Sequence, residues 1–497
     1  MPSHFFDAVI IGSDPAGLVA GALLARRGYR ILQIDVMEQP GSYVRDGYPL
    51  PCGPVLMPPF FENSRPFTVV SRELAMSPST FSELGLPVSR IQSLLPGHRV
   101  DLWHDRDSLL VELFREFPKE TGVSEKGLAD TDRTASELRA LLEQDAVPLP
   151  PDGFWEGRRL SKAISQLGSL RGSNGLAGSI KESASLSRIL CSPLDFVTGA
   201  HDSASIPAGA LALSRVLSPG WQVVASMSRI KAALRKRLKE LGVIMLSGPP
   251  PAHLHLNGAR ISGLTLKDSS HTYNCAGLIV ASSLFEIEDC LPHGRRIKKI
   301  QKASGSTFTD LCMLALNMIV PARTVPEGMG RVVLLSNAPS ASKAARPILL
   351  CVMPAFRNKV LQKDEVLINA SMIVEKNKLN NDRAKTIAVL KSTLLERMAR
   401  PFPFIVEKTS MISTPYDAEK MSDMGRDMPI FKGIFEPTRL LSTEGLTAGI
   451  FRLPARMGFE NLFIASREVL PGMGLEGEFV CARTVADLIS RLDPKKG

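Results

Sequence analysis

The chain opens on a short apolar run, Ala8-Val9-Ile10-Ile11, bounded by the turn Gly12-Ser13-Asp14-Pro15-Ala16-Gly17. A run this short between turn residues reads as a buried strand. Beyond the turn, Leu18, Val19, Ala22, Leu23 and Ala25 recur with helical period. Arg30 to Asp35 then forms a second strand-like segment, ending in an acid about 20 residues after the first glycine. Strand, glycine turn, amphipathic helix, strand and terminal acid together make a βαβ unit of the dinucleotide-binding type. Gly12 and Gly17 let backbone approach a diphosphate, and Asp35 is placed to bond a ribose hydroxyl.

Two later segments continue this pattern. From Leu211 to Leu291, Ser218-Pro219-Gly220-Trp221 precedes a helix predicted over Met227 to Leu241 and stopped by Gly242. Alternating residues around Asn257-Gly258 predict a type I′ hairpin, and Gly277 to Ala281 reads as a strand. The basic run Lys231 to Lys239 lies among Ile230, Leu234, Leu238 and Leu241 at helical spacing, which predicts a solvated face. Near the end, Glu460 to Ala465 is strand-like, Pro471 to Gly477 is a glycine-rich loop, and Phe479 to Leu492 is helical.

The fold class expected is α/β: a Rossmann-like βαβ domain with a parallel sheet, plus a discontinuous α+β substrate or cap domain. The first takes residues 1–70, 211–300 and 446–497; the second takes 71–210 and 301–445. Within the cap, Glu83 to Phe117 has helical periodicity, and the polar, proline-bearing stretch Gly122 to Gly175 is expected to be partly mobile. Leu390 to Met398 is helix-like. Prolines after it favour extended backbone, so Phe402, Phe404 and Ile405 line either a tunnel or an ordinary core strand.

At 497 residues the chain is too long for one core, and its 44% hydrophobic and 22% charged content is that of a globular protein. A formal charge of +10 fits nucleic acid, an anionic membrane surface or a basic soluble enzyme, and with its densest run on a helix the last is preferred, without nucleic acid. Met1 to Asp7 lack the pattern of a secretory signal, so the cytoplasm is the expected location. No window approaches about eighteen consecutive apolar residues, and peripheral membrane contact stays open.

Other chemistry finds little footing. The 7 cysteines have no C-x-x-C spacing. His253 and His255 share one side of a strand but lack a third ligand at suitable spacing, so no metal is expected. There is no G-x-S-x-G elbow and no Cys beside a His.

The opening segment, Gly41-Ser42 with Gly47-Tyr48 and Cys52-Gly53-Pro54, and above all the loop Pro471-Gly472-Met473-Gly474-Leu475-Glu476-Gly477, resemble the phytoene desaturase and amine oxidase flavoproteins. The resemblance implies FAD as cofactor, held by Gly12, Ser13, Asp14, Ala16, Gly17, Asp35, Gly41, Ser42, Gly53, Val224, Ser466, Arg467, Gly474 and Leu475. It implies hydride removal or transfer on a hydrophobic small molecule, with the cofactor carrying the hydride. Backbone near Val223 and Val224 is then on the adenine side, and backbone near Met473 to Leu475 close to the flavin ring.

Ser42-Tyr43 and Pro51 replace the second glycine, the arginine and the aspartate of the family's turns, and two further places depart from the pattern. Asp14 stands where the second glycine approaches the pyrophosphate, and Ser466-Arg467 replaces the usual Gly-Asp. A carboxylate about 4 Å from a phosphate charge costs about 4 kcal/mol at an effective dielectric of about 20, roughly three decades of affinity. That cost falls if Asp14 turns outward, protonates or caps the following helix. Either Arg467 offsets Asp14 beside a bound dinucleotide, or the two pair across the site of a flavin-free homologue with a structural or partner-binding role. A third reading places NAD(P) in the N-terminal fold.

Overall fold

The computed structural model describes residues 5–36, 41–59, 64–77, 79–143, 149–151, 154–166, 183–198, 207–226, 228–267, 269–282, 290–291, 310–337, 346–375, 383–423, 426–428, 437–439, 450–451 and 453–493. Strand β1 (Phe5–Ile11), helix α1 (Pro15–Arg26) and strand β2 (Ile31–Val36) form the expected βαβ unit. β1 runs parallel to β2 on one side and to Thr272–Val280 on the other, with Ile10 opposite Ile279. Ile244–Gly248 extends the sheet beyond β2, and Leu462–Ile464 adds a parallel strand beside Thr272–Val280. A central parallel strand is covered on both faces, which explains the continuous apolar run: Ala8 to Ile11 are all buried.

Helix α1 packs between the C-terminal helix (Gly474–Leu492) and the helix Ser228–Glu240. Leu18, Val19, Leu23 and Leu24 are fully buried, each contributing roughly 1.5–3 kcal/mol of transfer free energy. Gly17 lies where an added methyl would overlap the Ala281 side chain, so the glycine lets α1 close onto the end of the neighbouring strand. The predicted hairpin is present: Pro251–Asn257 pairs antiparallel with Arg260–Leu266, closing at Asn257 opposite Arg260, with Gly258 at φ 64°. Buried Asn461 ties the last strand to it, accepting from the Ile261 amide at 2.8 Å and donating to the Ile261 and Ala276 carbonyls at 2.7 Å.

A second, largely antiparallel sheet is built on three long strands, Asp310–Pro321, Val360–Glu375 and Ile348–Arg357. Val332–Leu335 follows, and then the hairpin Arg90–Leu95 with His98–Trp103. Three sequence expectations are corrected in this half and at its border. Residues 83–117 are not helical throughout: the hairpin turns at Gly97 (φ 82°), and helix begins only at Arg106, capped by the Asp105 carboxylate accepting from the Ser108 amide at 2.9 Å. Pairing with the distant Val332–Leu335 overrides the local period. The polar stretch after Gly122 carries a long helix, Thr121–Leu142, whose Leu128, Ala135, Leu138 and Leu142 fall on one buried face.

Pro403–Glu407 is a short helix, with Pro403 in the first turn where a missing N–H costs nothing. Phe402 and Ile405 pack in the core against Leu394 and Met398 while Phe404 is exposed, so they form neither a core strand nor a tunnel wall. The basic run on Ser228–Glu240 is not wholly solvated either, because Arg235 is buried and its partner is Asp35. Met227, the expected start of that helix, lies outside the described residues.

Candidate functional site

The turn between β1 and α1 binds itself tightly. Gly12, at φ 97°, donates its amide to the Ile34 carbonyl at 2.9 Å, and its carbonyl accepts from the buried Gln33 side chain. The Asp14 amide goes to the Ala281 carbonyl at 2.9 Å. Ser13 is buried and Asp14 half-buried. Asp14 precedes the helix at its N-cap, with Pro15 in the first turn, but its carboxylate makes no capping hydrogen bond, so capping is not how its charge is accommodated.

The group that does meet the amide end of α1 is Glu478. Its Oε2 accepts from the Ala16 amide at 3.1 Å, in a side chain only 9% exposed. A helix N-terminus is an anion site, so this carboxyl stands where one oxygen of a diphosphate would be received. Burial, and after it the charge of Asp14, push the Glu478 carboxyl up to about 8, against the opposing pull of the Ala16 amide, Arg467 and Lys231. The proton-bearing form is therefore preferred at neutral pH.

Asp14 and Arg467 do not pair with each other among the ion pairs of the described residues; they act on Glu478 with opposite sign. Arg467 is exposed, beside a buried Ser466 whose hydroxyl accepts from the Glu468 amide at 3.3 Å. Asp35 sits at the end of β2 as expected, buried, with Oδ2 accepting from Arg235 Nε at 3.1 Å and Oδ1 from Gln33 Nε2 at 3.3 Å. A carboxylate has about four acceptor positions, so these bonds leave room for a ribose hydroxyl.

Gly41 and Ser42 lead into a strand, Ser42–Arg45, that pairs with Tyr48–Pro51. A side chain at Gly41 would collide with Ser226 and Ser228, which fixes its approach to the helix Ser228–Glu240. Tyr43 is fully buried; Asn317 Nδ2 donates to its oxygen at 3.1 Å, and Ser413 Oγ lies at 3.1 Å. Asn317 also donates to the Pro51 carbonyl at 2.8 Å, and Asn369 donates to the Gly53 carbonyl at 3.3 Å. The Gly41 to Gly53 segment is thereby anchored to the second sheet. The amide of buried Val224 is taken by the Val55 carbonyl at 2.8 Å.

Gly474 and Leu475 open the C-terminal helix and border a cavity of about 130 Å³ beside the second sheet. Leu56, Ile91, Phe196, Leu334 and Leu349 give it apolar walls, and Arg215 with Glu476 closes one end. A site of about 150 Å³ with such walls holds a benzene-sized group. The Arg215–Glu476 ion pair is buried, at 4% and 8% side-chain exposure, and the Glu476 carboxylate also receives the hydroxyl of Ser64. His253 and His255 lie on an exposed strand face, His255 bonded to Thr265 at 2.7 Å.

Sequence reasoning missed Glu478, Arg215, Glu476 and Arg235. For Glu478 the signal was present: with Cys481, Ala482, Val485 and Ala486 it falls at helical spacing on the buried stripe of its helix, an acid among apolar positions. The two arginines carried no such sign, because the partners that bury them lie far along the chain.

The donor set fits a dinucleotide on one condition. The Ala16 amide, Arg467 and Lys231 favour an anion at the start of α1, and Asp35 retains ribose acceptors, but a second carboxylate charge beside Asp14 opposes a diphosphate. The set therefore fits with Glu478 neutral.

Residues 10–72 match the NAD(P)-binding Rossmann-like domain. No curated protein sequence matches the chain. Among solved structures it is similar to cyclohexylamine oxidase from Brevibacterium oxydans, at 12% identity and TM-score 0.59, over 98% of this chain and 99% of that one. Putrescine oxidase bound to putrescine gives 15% identity and TM-score 0.56, over 99% of this chain and 100% of that one. An oxidoreductase from Methanosarcina mazei gives 12% and 0.56, over 97% and 99%. At these identities the likeness is one of architecture: this chain has the fold of these oxidases.

Proposed function

We propose that this protein is an FAD-dependent oxidoreductase that removes or transfers hydride on a hydrophobic small molecule, in the manner of the phytoene desaturases it resembles. What supports this reading is the small apolar cavity bordered by Gly474 and Leu475, beside which the resemblance implies the flavin ring. When bound, FAD supplies the hydride acceptor. The chain's own residues bind and exclude water: the α1 amides, Arg467 and Lys231 receive the diphosphate, Asp35 the ribose, and Leu56, Ile91, Leu334 and Leu349 hold an apolar group out of solvent. In this reading residues 1–70, 211–300 and 446–497 hold the nucleotide, and 71–210 with 301–445 cover it.

A cytoplasmic location is proposed with it. No helix among the described residues is long and apolar enough to cross a membrane. A membrane-peripheral variant draws support from Phe154 and Trp155, 73% and 69% exposed and stacked edge to face at 5.4 Å, on a helix that also exposes Arg158 and Arg159. The rival reading, a flavin-free structural or partner-binding homologue, is favoured by Asp14 and Glu478 together at the cradle.

The substrate class is tested by anaerobic mixing of the FAD-loaded protein with a long polyene, a cyclohexyl amine and a polar diamine. Bleaching of the flavin band by an apolar compound and not by the diamine is expected. Bleaching by the diamine alone, or by none of the three, contradicts the proposal.

A further inference from the structure

The acid at the start of α1 has a consequence for cofactor loading that rests on the oxidoreductase reading above. Ala16 offers its amide at the one place in the turn where a diphosphate gains most from the helix dipole, and Glu478 already takes it at 3.1 Å. The Glu478 side chain enters from the C-terminal helix and is buried against α1. Four groups bear on it: Asp14 from the turn, Arg467 from the segment after Leu462–Ile464, Lys231 from the helix Ser228–Glu240, and Cys481 one turn along its own helix. With both acids ionised and both cations charged, the four charged side chains that meet here, Asp14, Glu478, Arg467 and Lys231, sum to no net charge. With Glu478 neutral they sum to one positive charge, which a diphosphate needs.

We propose that Glu478, rather than Arg467, is the residue that decides whether the cradle accepts a dinucleotide: as a carboxylate it is the cradle's own anion, and as a neutral carboxyl it yields the Ala16 amide and donates its hydroxyl to a phosphate oxygen. The family's glycine at position 14 has no such requirement, because close backbone approach serves there instead. Here Asp14 stands at that place and raises the proton affinity of Glu478. A neutral carboxyl is a hydrogen-bond donor of the kind a phosphate oxygen accepts, whereas the ionised one has acceptors only. Dinucleotide affinity therefore follows the proton on this one side chain.

The test is titration calorimetry of the full-length protein with FAD and, separately, with ADP, at pH 6.5 and pH 9, for the wild type and Glu478→Gln. Circular dichroism checks that each sample is folded. Since the Glu478 carboxyl is pushed up to about 8, the wild type is expected to bind both ligands roughly tenfold or more weakly at pH 9 than at pH 6.5. Glu478→Gln, neutral at both, is expected to bind equally at the two and more tightly than wild type at pH 9. Parallel losses in wild type and variant, or no loss in either, overturn the role of Glu478 while leaving FAD binding intact. Absence of binding by both proteins at both pH values overturns this inference and the oxidoreductase reading together.

Discussion

Replacing Arg215 with methionine is expected to destabilise the folded protein by about 3 to 5 kcal/mol, the cost of leaving a buried charge without its partner. Arg215 and Glu476 are 4% and 8% exposed, so neither is relieved by water when the other is removed. Burial already draws the Arg215 guanidinium down from its ordinary range, against the upward pull of Glu476. The Arg215 carbonyl accepts from the Trp221 indole at 2.9 Å, and that bond survives because it is to the backbone. The loss is therefore electrostatic, and Arg215→Met with Glu476→Leu is expected to recover most of it. Urea denaturation of wild type, single and double variants checks this; a single variant within about 1 kcal/mol of wild type contradicts it.

Glu478→Gln is expected to change the pH dependence of stability without added cofactor. The folded protein holds the Glu478 carboxyl at about 8, through burial first and Asp14 second, whereas the unfolded chain ionises it near 4.5. Between these values the unfolded state gives up a proton that the folded state keeps, so stability falls as pH rises. The contribution is fully present below the unfolded value and lost as pH passes through the folded one. The amide removes the loss: the variant matches wild type to within about 1 kcal/mol near pH 5 and exceeds it near pH 9 by roughly 4 kcal/mol. Unfolding midpoints at pH 5, 7 and 9 decide it, and a constant offset across all three contradicts the assignment.

The βαβ unit was legible because every level agreed: an apolar run, Gly12 at positive φ, a periodic helix, and Asp35 at the strand end. The hairpin at Asn257-Gly258 was legible for the same reason. The second sheet was less so. Arg90–Leu95 finds its parallel partner far along the chain in Val332–Leu335, and no local period announces such a pairing. The site divided along the same line. The glycines of the turn could be read from spacing and Gly474 from resemblance, but the partner of Asp35 is Arg235, and the group at the α1 amide is Glu478. Both are charged residues made special by burial between elements distant in sequence. The departures at Asp14 and Arg467 lie beside the group they act on, a third residue on the helix where only an acid among apolar neighbours marks it.

The central claim, that this fold still takes FAD, is tested most directly by the absorbance of the purified protein, alone and after incubation with FAD at pH 6.5 and removal of the excess. The account predicts the two-banded spectrum of an oxidised flavin that stays with the protein and is released by heat as FAD. A colourless protein that retains none would contradict it and leave the flavin-free homologue standing.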